Sequence, residues 1–227
     1  MAENAKRLVW DETGKRIYET GVKMAVLYVQ GSNGEYGAGV PWNGLTSVSE
    51  SPSGAEATPL YANDSKYLSL YSVEEFGGSI EAYTYPEEFE QCDGSAQIAT
   101  GVTIGQQNRK AAGLCYRTTV GNDTEGNDYG YKIHIVYGMR VSPSQKAFAT
   151  INNSPEAISM SWEFTTTPVP IANHKPSATL IIDSTKVDAG KLKELEDILY
   201  GKDPVDGSGG SAARLPMPDE IAQLFAA

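Results

Sequence analysis

Two stretches of the chain decide the fold: YKIHIVYGMRV at residues 131–141 and AISMSWEFT at residues 157–165. In the first stretch every odd position is apolar, while the even positions are mostly polar or small. In the second, the apolar side chains occupy every second position from Ile158 to Phe164. Because successive side chains of a strand point to opposite faces, each stretch predicts a strand with one apolar and one polar face. Together they predict a large antiparallel sheet with a core on one side.

The polar faces of these two strands carry Lys132, His134, Arg140 and Glu163. A histidine on the polar face of a strand, without an evident partner, indicates a surface or interface residue rather than a catalytic base. We therefore expect these four side chains to lie on solvent-facing surface.

The composition is that of a globular chain with a strongly acidic balance. It has 227 residues, 40% of them hydrophobic, a mean hydropathy of −0.35 and a net charge of −11. No apolar run approaches the roughly 18 residues of a membrane span, and residues 1–13 lack the apolar core of a secretory signal. These features predict one all-β domain with additions, made and folded in the cytoplasm and without a membrane span.

The acidic charge is concentrated in residues 50–93, which hold ten acidic side chains and one basic side chain, Lys66. Tight binding to a phosphate backbone needs Lys and Arg, so this segment argues against it. The stretch is either a solvated acidic face or a surface that repels nucleic acid.

Outside the two deciding stretches, alternation and turn residues predict a series of shorter elements. A proline followed by two glutamates predicts a short helix at 86–92. The polar segment 142–156 is too long for a tight turn and predicts a loop that makes contacts. Further strands are predicted at 21–30, 42–50, 64–73, 79–85 and 113–120, with a loop at 51–63 and irregular structure at 93–112.

The chain divides into three parts: an arm at 1–20, a β-domain at 21–170 and an extension at 171–227. Within the extension the pattern predicts a strand at 177–183, a helix at 191–200, a flexible linker at 203–213 and a short terminal helix from Pro218. That terminal helix is a docking segment, either for its own domain or for a neighbouring subunit.

The sequence carries no recognisable enzyme signature. It has no G-x-S-x-G, no phosphate-binding loop and no H-E-x-x-H, and the acids of 123–128 do not match a calcium loop. Cys92 and Cys115 are expected to be buried free thiols, although spacing alone leaves a disulfide open. We predict no catalytic residue, no cofactor and no metal.

The order and spacing of several segments resemble the major tail proteins of long-tailed phages and prophages with non-contractile tails. The resemblance runs from about Trp10 to the final helix, through GVKMAVLYVQ (21–30), FGGSIEAYTYPEEFEQCDG (76–94) and SPEAISMSWEFTTTPV (154–169). KPSATLIIDSTKVDAGKLKELEDILYG (175–201) resembles an extension found in a subset of that family.

The resemblance implies two packed antiparallel β-sheets, a sandwich or barrel with the phage tail tube fold, flanked by one short helix and followed by a strand–helix extension. It implies a structural virion protein that forms hexameric rings, which stack into the hollow tube through which the genome leaves. Its expected partners are further copies of itself, a tape-measure protein and a terminator protein, with DNA passing through the lumen without specific binding.

Within that picture we expect the strands flanking 51–63 to join the inner sheet, and the segment itself to reach the next ring. Glu50, Glu56, Tyr61 and Asp64 are then expected at the lumen or at the contact between rings. An acidic lumen keeps DNA from adhering. The extension is expected to thicken the outer wall or to brace adjacent rings.

Two other functional interpretations of the sequence are possible. A monomeric β-sandwich that binds a glycan or protein ligand predicts an aromatic patch on a protein that does not polymerise. An enzyme with a carboxylate site predicts turnover that a single Asp or Glu substitution abolishes.

Overall fold

The computed structural model describes residues 7–151, 153–154, 156–204 and 209–226. The chain is mainly β, as predicted, with one large antiparallel sheet, two separate hairpins and short helices. The strands are β1 (Ile17–Val29), β2 (Val40–Pro41), β3 (Leu45–Glu50), β4 (Ala57–Ala62), β5 (Ser65–Tyr71), β6 (Gly77–Ala82), β7 (Ala96–Ala99), β8 (Val102–Ile104), β9 (Ala112–Asn122), β10 (Gly126–Val141), β11 (Met160–Thr166) and β12 (Thr179–Asp183). The helices are a 3-10 turn (Glu87–Phe89), α1 (Glu90–Asp93), α2 (Ala189–Tyr200) and α3 (Pro218–Ala226).

The large sheet curls until its two ends meet. Its strands follow the order β2-β1-β9-β10-β11-β6-β3, so that β3 is at one end and β1 is near the other. β3 nevertheless lies alongside β1. Just before β3, where the two ends of the sheet meet, the backbone N–H of Trp42 donates to the Ala25 carbonyl of β1 at 2.8 Å. The two halves of the sheet therefore pack face to face and enclose a core, as in a sandwich or barrel.

The enclosed core, here called the inner core, is dominated by aromatic rings. Trp162 from β11 lies 6.1 Å from Trp42 and 5.1 Å from Phe89, measured between ring centroids. Phe89 belongs to the short helical segment after Pro86, so this flanking helix, which was predicted, packs an aromatic ring into the inner core. Aliphatic side chains from β1, β6, β9 and β10 fill the remaining space.

The long strand β10 has two partners along one edge. Its middle part pairs with β12 and its last residues pair with β11, while β9 follows the other edge. The change of partner falls at Gly138, which has a φ of +60° and lies in a register shift of the β9–β10 ladder. A β-bulge of this kind moves the side chains that follow it to the opposite face.

The bulge overturns the prediction of one apolar face for residues 131–141. Ile133 and Ile135 lie in a second core on the outside of the barrel, whereas Met139 and Val141 lie in the inner core. Both faces of β10 are buried between residues 133 and 139, because the outer face is covered by another layer. His134, predicted to lie at the surface or at an interface, points to the face opposite Ile133 and Ile135 and is buried there against the Tyr116 ring.

The covering layer is the C-terminal part of the chain. Asp188 caps α2 by accepting hydrogen bonds from the Gly190 and Lys191 N–H groups, and α2 buries three leucines against β1, β9 and β10. The Tyr28 hydroxyl donates to the Leu199 carbonyl at 2.5 Å. The terminal helix α3 buries Ile221 in the same outer core. The sequence predicted that this helix docks either on its own domain or on a neighbouring subunit, and in the structure it packs on its own domain.

Three sequence expectations are corrected. The predicted loop at 51–63 contains the strand β4, and the irregular stretch 93–112 contains the hairpin of β7 and β8. The predicted arm is shorter than expected, because β1 begins at Ile17 and pairs with β9 from its first residue. The linker predicted at 203–213 lies partly outside the described residues.

The described residues of the segment between β10 and β11 form no helix or strand, in agreement with the predicted loop. Lys146 anchors this loop, with its ammonium 2.8 Å from the carboxylate of Asp93. Phe148 and Ile151 are more than three-quarters exposed.

Candidate functional site

The structure separates the four residues that were predicted to share a contact region. Tyr61 lies in β4, Glu56 directly precedes that strand and Asp64 lies in the turn to β5, whereas the exposed Glu50 ends β3 and accepts a hydrogen bond from Tyr116. We also expected the strands flanking 51–63 to lie in one sheet, but β3 pairs with β6 while β5 pairs with β4. The hairpin and the Glu50 region are therefore two distinct features.

The hairpin is the outer end of a ribbon that starts in the barrel. Beyond β3 and β6, the Ser51 N–H donates to the Gly77 carbonyl, Ser53 and Glu75 bridge, and the Ser72 N–H donates to the Glu56 carbonyl. The pairing thus continues from the barrel wall to the tip. At about 3.3 Å per residue, the leg from residue 51 to residue 63 reaches up to about 40 Å.

The tip of the ribbon is a tight turn. Asn63 and Asp64 have φ angles of +50° and +58°, the combination of a two-residue turn with both central residues left-handed. Asn and Asp adopt this conformation more readily than other non-glycine residues. Asp64 therefore lies at the point of the molecule farthest along the ribbon from the barrel.

The two faces of the hairpin differ in chemistry. Leu60 is paired with Leu68, and Thr58 with Leu70, so these side chains share one face. The opposite face carries the pair of Ala57 and Tyr71. We call the first the leucine face, with Leu60, Leu68 and Leu70, and the second the tyrosine face, with Tyr61 and Tyr71.

Both faces are open to solvent. Tyr61 and Tyr71 are 71% and 72% exposed, and Leu70 is 55% exposed. No residue of β4 or β5 belongs to either core. A contiguous apolar surface of this kind is typical of a contact site in a folded protein.

A second feature is a polar cluster at the end of the barrel nearest the ribbon, in which His134 and Tyr116 are buried while three charged side chains remain about one-third exposed: Glu19, Glu50 and Lys132. The Tyr116 hydroxyl donates to the Glu50 carboxylate at 2.6 Å, and the Tyr116 ring stacks on His134 with centroids 4.8 Å apart. His134 Nε2 lies 3.2 Å from Glu19, while Nδ1 is 3.7 Å from Glu50. Lys132 Nζ lies 2.5 Å from Glu19. The cluster links β3 with β1, β9 and β10.

The surroundings of Glu19 and Tyr116 shift the pKa values of these two side chains. Partial burial acts to raise the pKa of Glu19, but hydrogen bonds from Lys132 and Thr118 outweigh it and hold that pKa below its ordinary value. Burial, together with the hydrogen bond to the Glu50 carboxylate, raises the pKa of Tyr116. Glu19 is thus stabilised as a carboxylate and Tyr116 as a neutral hydrogen-bond donor.

On the outer face of β3, β6 and β11, no helix of the described ranges forms a covering layer, since α2 and α3 pack on the other side of the barrel. On this face the cross-strand partners are Ser47 with Glu81, Ser161 with Glu81, and Glu163 with Ser79. Both glutamates are exposed, and the Ser47 hydroxyl donates to Glu81 at 3.1 Å. This face therefore presents hydroxyls and carboxylates, with Arg140 at its border beside Thr165.

The remaining reactive groups are dispersed. In the described part of the chain, no three side chains of His, Cys, Asp and Glu are placed to hold a metal ion. Cys92 and Cys115 are buried free thiols, and burial raises the pKa of each to about 12. His174 is exposed, far from the cluster around His134 in sequence and on another segment.

None of the helices in the described ranges combines the length and apolar character that a membrane crossing needs. No protein-family model matches the chain, and no curated protein is significantly similar to it.

Sequence reasoning missed the hairpin although its signals were present. Asn63-Asp64 is a two-residue turn signal between two runs with β-forming residues, which predicts a hairpin. The two prolines in 51–63 favoured a loop instead, but Pro59 lies within β4, a strand that pairs on one side only. The burial of His134 carried no local signal, because it depends on the stacking of Tyr116 from another strand.

Proposed function

We propose that this chain is a structural subunit that assembles with copies of itself into hexameric rings, and that these rings stack into the tube of a phage tail. The observation that carries the proposal is the hairpin of β4 and β5, a long apolar ribbon held away from the barrel with both faces exposed. A subunit that reaches into a neighbour needs an extension of this kind.

The charge distribution supports a tube through which DNA passes. The uncovered face of β3, β6 and β11 presents Glu81, Glu163 and several hydroxyls. Carboxylates repel phosphate, and the three strands contain no Lys or Arg, the side chains that would retain DNA. We propose that this face lines the lumen, whereas the exposed Glu50 carboxylate accepts the hydrogen bond of Tyr116 at the end of the barrel.

The loop of residues 142–156 adds a second apolar surface for contact between subunits, since Phe148 and Ile151 are exposed on it. Tape-measure and terminator proteins are the further partners that a tube of this kind would meet. The place of such a protein is the virion, after assembly in the host cytoplasm.

Negative-stain electron microscopy of the concentrated protein tests the proposal. We expect rings with six-fold symmetry or tubes of uniform diameter, and sedimentation should show a species of about six chains or larger. A protein that sediments only as a monomer at every concentration up to about 10 mg/ml would contradict the proposal.

A second candidate function follows from the exposed tyrosines of the hairpin. Tyr61, Tyr67 and Tyr71 could stack on the apolar faces of sugar rings, as expected for a monomeric module that binds glycans. A glycan array separates the two functions, because this candidate predicts saturable binding by a monomer that does not polymerise.

A further inference from the structure

We infer that His134 is a pH-dependent link within the polar cluster: when its ring takes up a second proton, it bridges the carboxylates of Glu19 and Glu50 and ties the end of β3 to β1 and β10. This inference goes beyond the proposed function and does not depend on it, because every contact lies within one chain.

The first step is the placement of the ring between two carboxylates. Nε2 of His134 lies 3.2 Å from Glu19 on β1, and Nδ1 lies 3.7 Å from Glu50 at the end of β3. The ring itself is buried. Since each nitrogen faces a different carboxylate, the ring is the only group that joins the two acids across the end of the barrel.

The second step is the position of the proton in the neutral ring. The Thr118 hydroxyl donates its single hydrogen to Glu19 at 2.5 Å, so it accepts from His134 Nε2, which lies 3.0 Å away. The Glu19 carboxylate, also close to Nε2, is an acceptor as well. The neutral ring therefore carries its proton on Nε2 and leaves a lone pair on Nδ1.

The third step is the state of Nδ1. This atom is buried, and none of the described residues gives it a hydrogen-bond partner. A lone pair and a carboxylate repel each other, which agrees with the separation of 3.7 Å from Glu50. Protonation turns Nδ1 into a donor, and a shift of the one-third exposed Glu50 side chain by about 0.8 Å then gives a normal hydrogen bond.

The fourth step is the balance of charge around the ring. The strands packed against it contribute these facing side chains: Glu19 (β1), Glu50 (β3), Tyr116 and Thr118 (β9), Lys132 (β10) and Ile181 (β12). Two carboxylates and one ammonium leave a net charge of −1 beside a neutral ring, and protonation of the ring cancels it. Burial opposes the positive charge, but an acceptor at each nitrogen offsets that cost.

The fifth step is the part of the fold that the link holds. Glu50 is the last residue of β3, and the next N–H, that of Ser51, makes the first hydrogen bond of the ribbon, to the Gly77 carbonyl. A bond from β10 to Glu50 therefore fixes the root of the ribbon. Because this bond exists only in the folded, protonated state, it stabilises the fold at acidic pH and is lost as the pH rises through the range in which histidine gives up its proton.

Thermal unfolding of dilute protein, at a concentration at which sedimentation shows single chains, tests the inference at about pH 5.5 and about pH 7.5. The variants are His134→Gln and Glu50→Gln, and the matched control is His174→Gln, which removes the other of the two histidines, an exposed one. We expect wild type and the control to melt about 2–4 °C higher at the lower pH than at the higher pH, relative to His134→Gln. Glu50→Gln keeps an acceptor for Tyr116 but removes the charge, and it should lose at least about half of this difference.

Hydrogen exchange at the Ser51 amide, corrected for the intrinsic effect of pH, tests whether the link acts on the root of the ribbon. We expect protection at the lower pH to exceed that at the higher pH by about threefold or more in wild type, and to be equal at both in His134→Gln. Equal pH dependence of melting in wild type and His134→Gln, or a wild type that melts higher at the higher pH, would show the inference to be wrong. A Glu50→Gln variant with the full wild-type pH dependence would also overturn it, and this comparison decides the matter if His134→Gln does not fold.

Discussion

Gly138 is the residue at which β10 passes from one partner strand to the next. Its φ of +60° is left-handed, and a Cβ at this position would lie 2.3 Å from the Thr167 carbonyl oxygen. That carbonyl belongs to the backbone just after β11, so it cannot move without disturbing the sheet. The residue type is therefore dictated by two independent constraints, backbone conformation and space.

We expect Gly138→Ala to lower the free energy of unfolding by about 2–4 kcal/mol, since strain at such a φ costs about 1–3 kcal/mol and the clash adds to it. The matched control is Gly21→Ala, where φ is +70° but no atom lies within 4 Å of the added Cβ. This control isolates the conformational term, about 1 kcal/mol. Equal losses in urea unfolding of the two variants would contradict the role assigned to the clash.

Glu19 makes part of the stability dependent on pH. Its pKa in the folded protein lies below the ordinary value of 4.5, so the carboxylate contributes stability above that value and loses it as the pH falls through the folded pKa. Glu19→Gln should therefore destabilise the protein at pH 7, and the difference from wild type should shrink towards pH 3. Urea unfolding across this range measures it, with Glu194→Gln on the exposed surface of α2 as the control. A difference that stays constant with pH would contradict the ion pair.

Periodicity predicted the strands and helices whose signals lie within the element itself. The strand at 113–120 appears as Ala112–Asn122, the helix at 191–200 as Ala189–Tyr200, and the C-terminal strand as Thr179–Asp183. The flanking helix after Pro86 was also predicted. In each case the apolar spacing, the cap or the turn residue lies within the element itself.

What the sequence could not predict depends on distant contacts. The alternation of 131–141 shows no break at Gly138, so the transfer of Met139 and Val141 to the other core is visible only in the sheet. The uncovered state of the hairpin is likewise a property of the whole fold. The sequence prediction grouped Glu50 with Glu56, Tyr61 and Asp64 at the lumen or at the contact between rings because the four are close in the chain. The sequence carried no signal that the ribbon separates Glu50 from the other three.

The ribbon and the C-terminal layer should respond to deletion in opposite ways. Glu56 and Ser72 face each other across the ribbon, with the Glu56 N–H donating to the Ser72 hydroxyl at 3.0 Å, so an Asn-Gly turn can replace residues 57–71. We expect that variant to melt within about 3 °C of wild type, because no core residue is lost. It should not polymerise.

A chain ending at residue 176 should instead fail to fold. It lacks β12, which pairs with β10, and the helices that cover Tyr28 and Ile135 in the outer core. Expression of both variants, followed by circular dichroism and sedimentation, makes the comparison. A folded, soluble protein from the shorter chain would contradict the structural role of this layer. That result would instead favour the expectation that the extension braces adjacent rings.

For the whole molecule, the net charge of −11 opposes assembly. The range of electrostatic repulsion falls from about 30 Å at 0.01 M salt to about 8 Å at 0.15 M salt. We therefore expect the concentration at which polymers appear to fall as sodium chloride rises over this range, measured by light scattering at fixed pH. Polymers that dissolve as salt rises would show instead that attraction between opposite charges holds the copies together.

The ribbon that leaves the barrel also determines how the molecule bears a mechanical load. Its hydrogen bonds, from the β3–β6 ladder outward, lie across the direction in which the hairpin points. A pull on one leg of the hairpin, along the ribbon, therefore shears many bonds together rather than opening them one after another. In the proposed tube, a load along the ribbon would therefore be shared among these hydrogen bonds before it reaches the barrel.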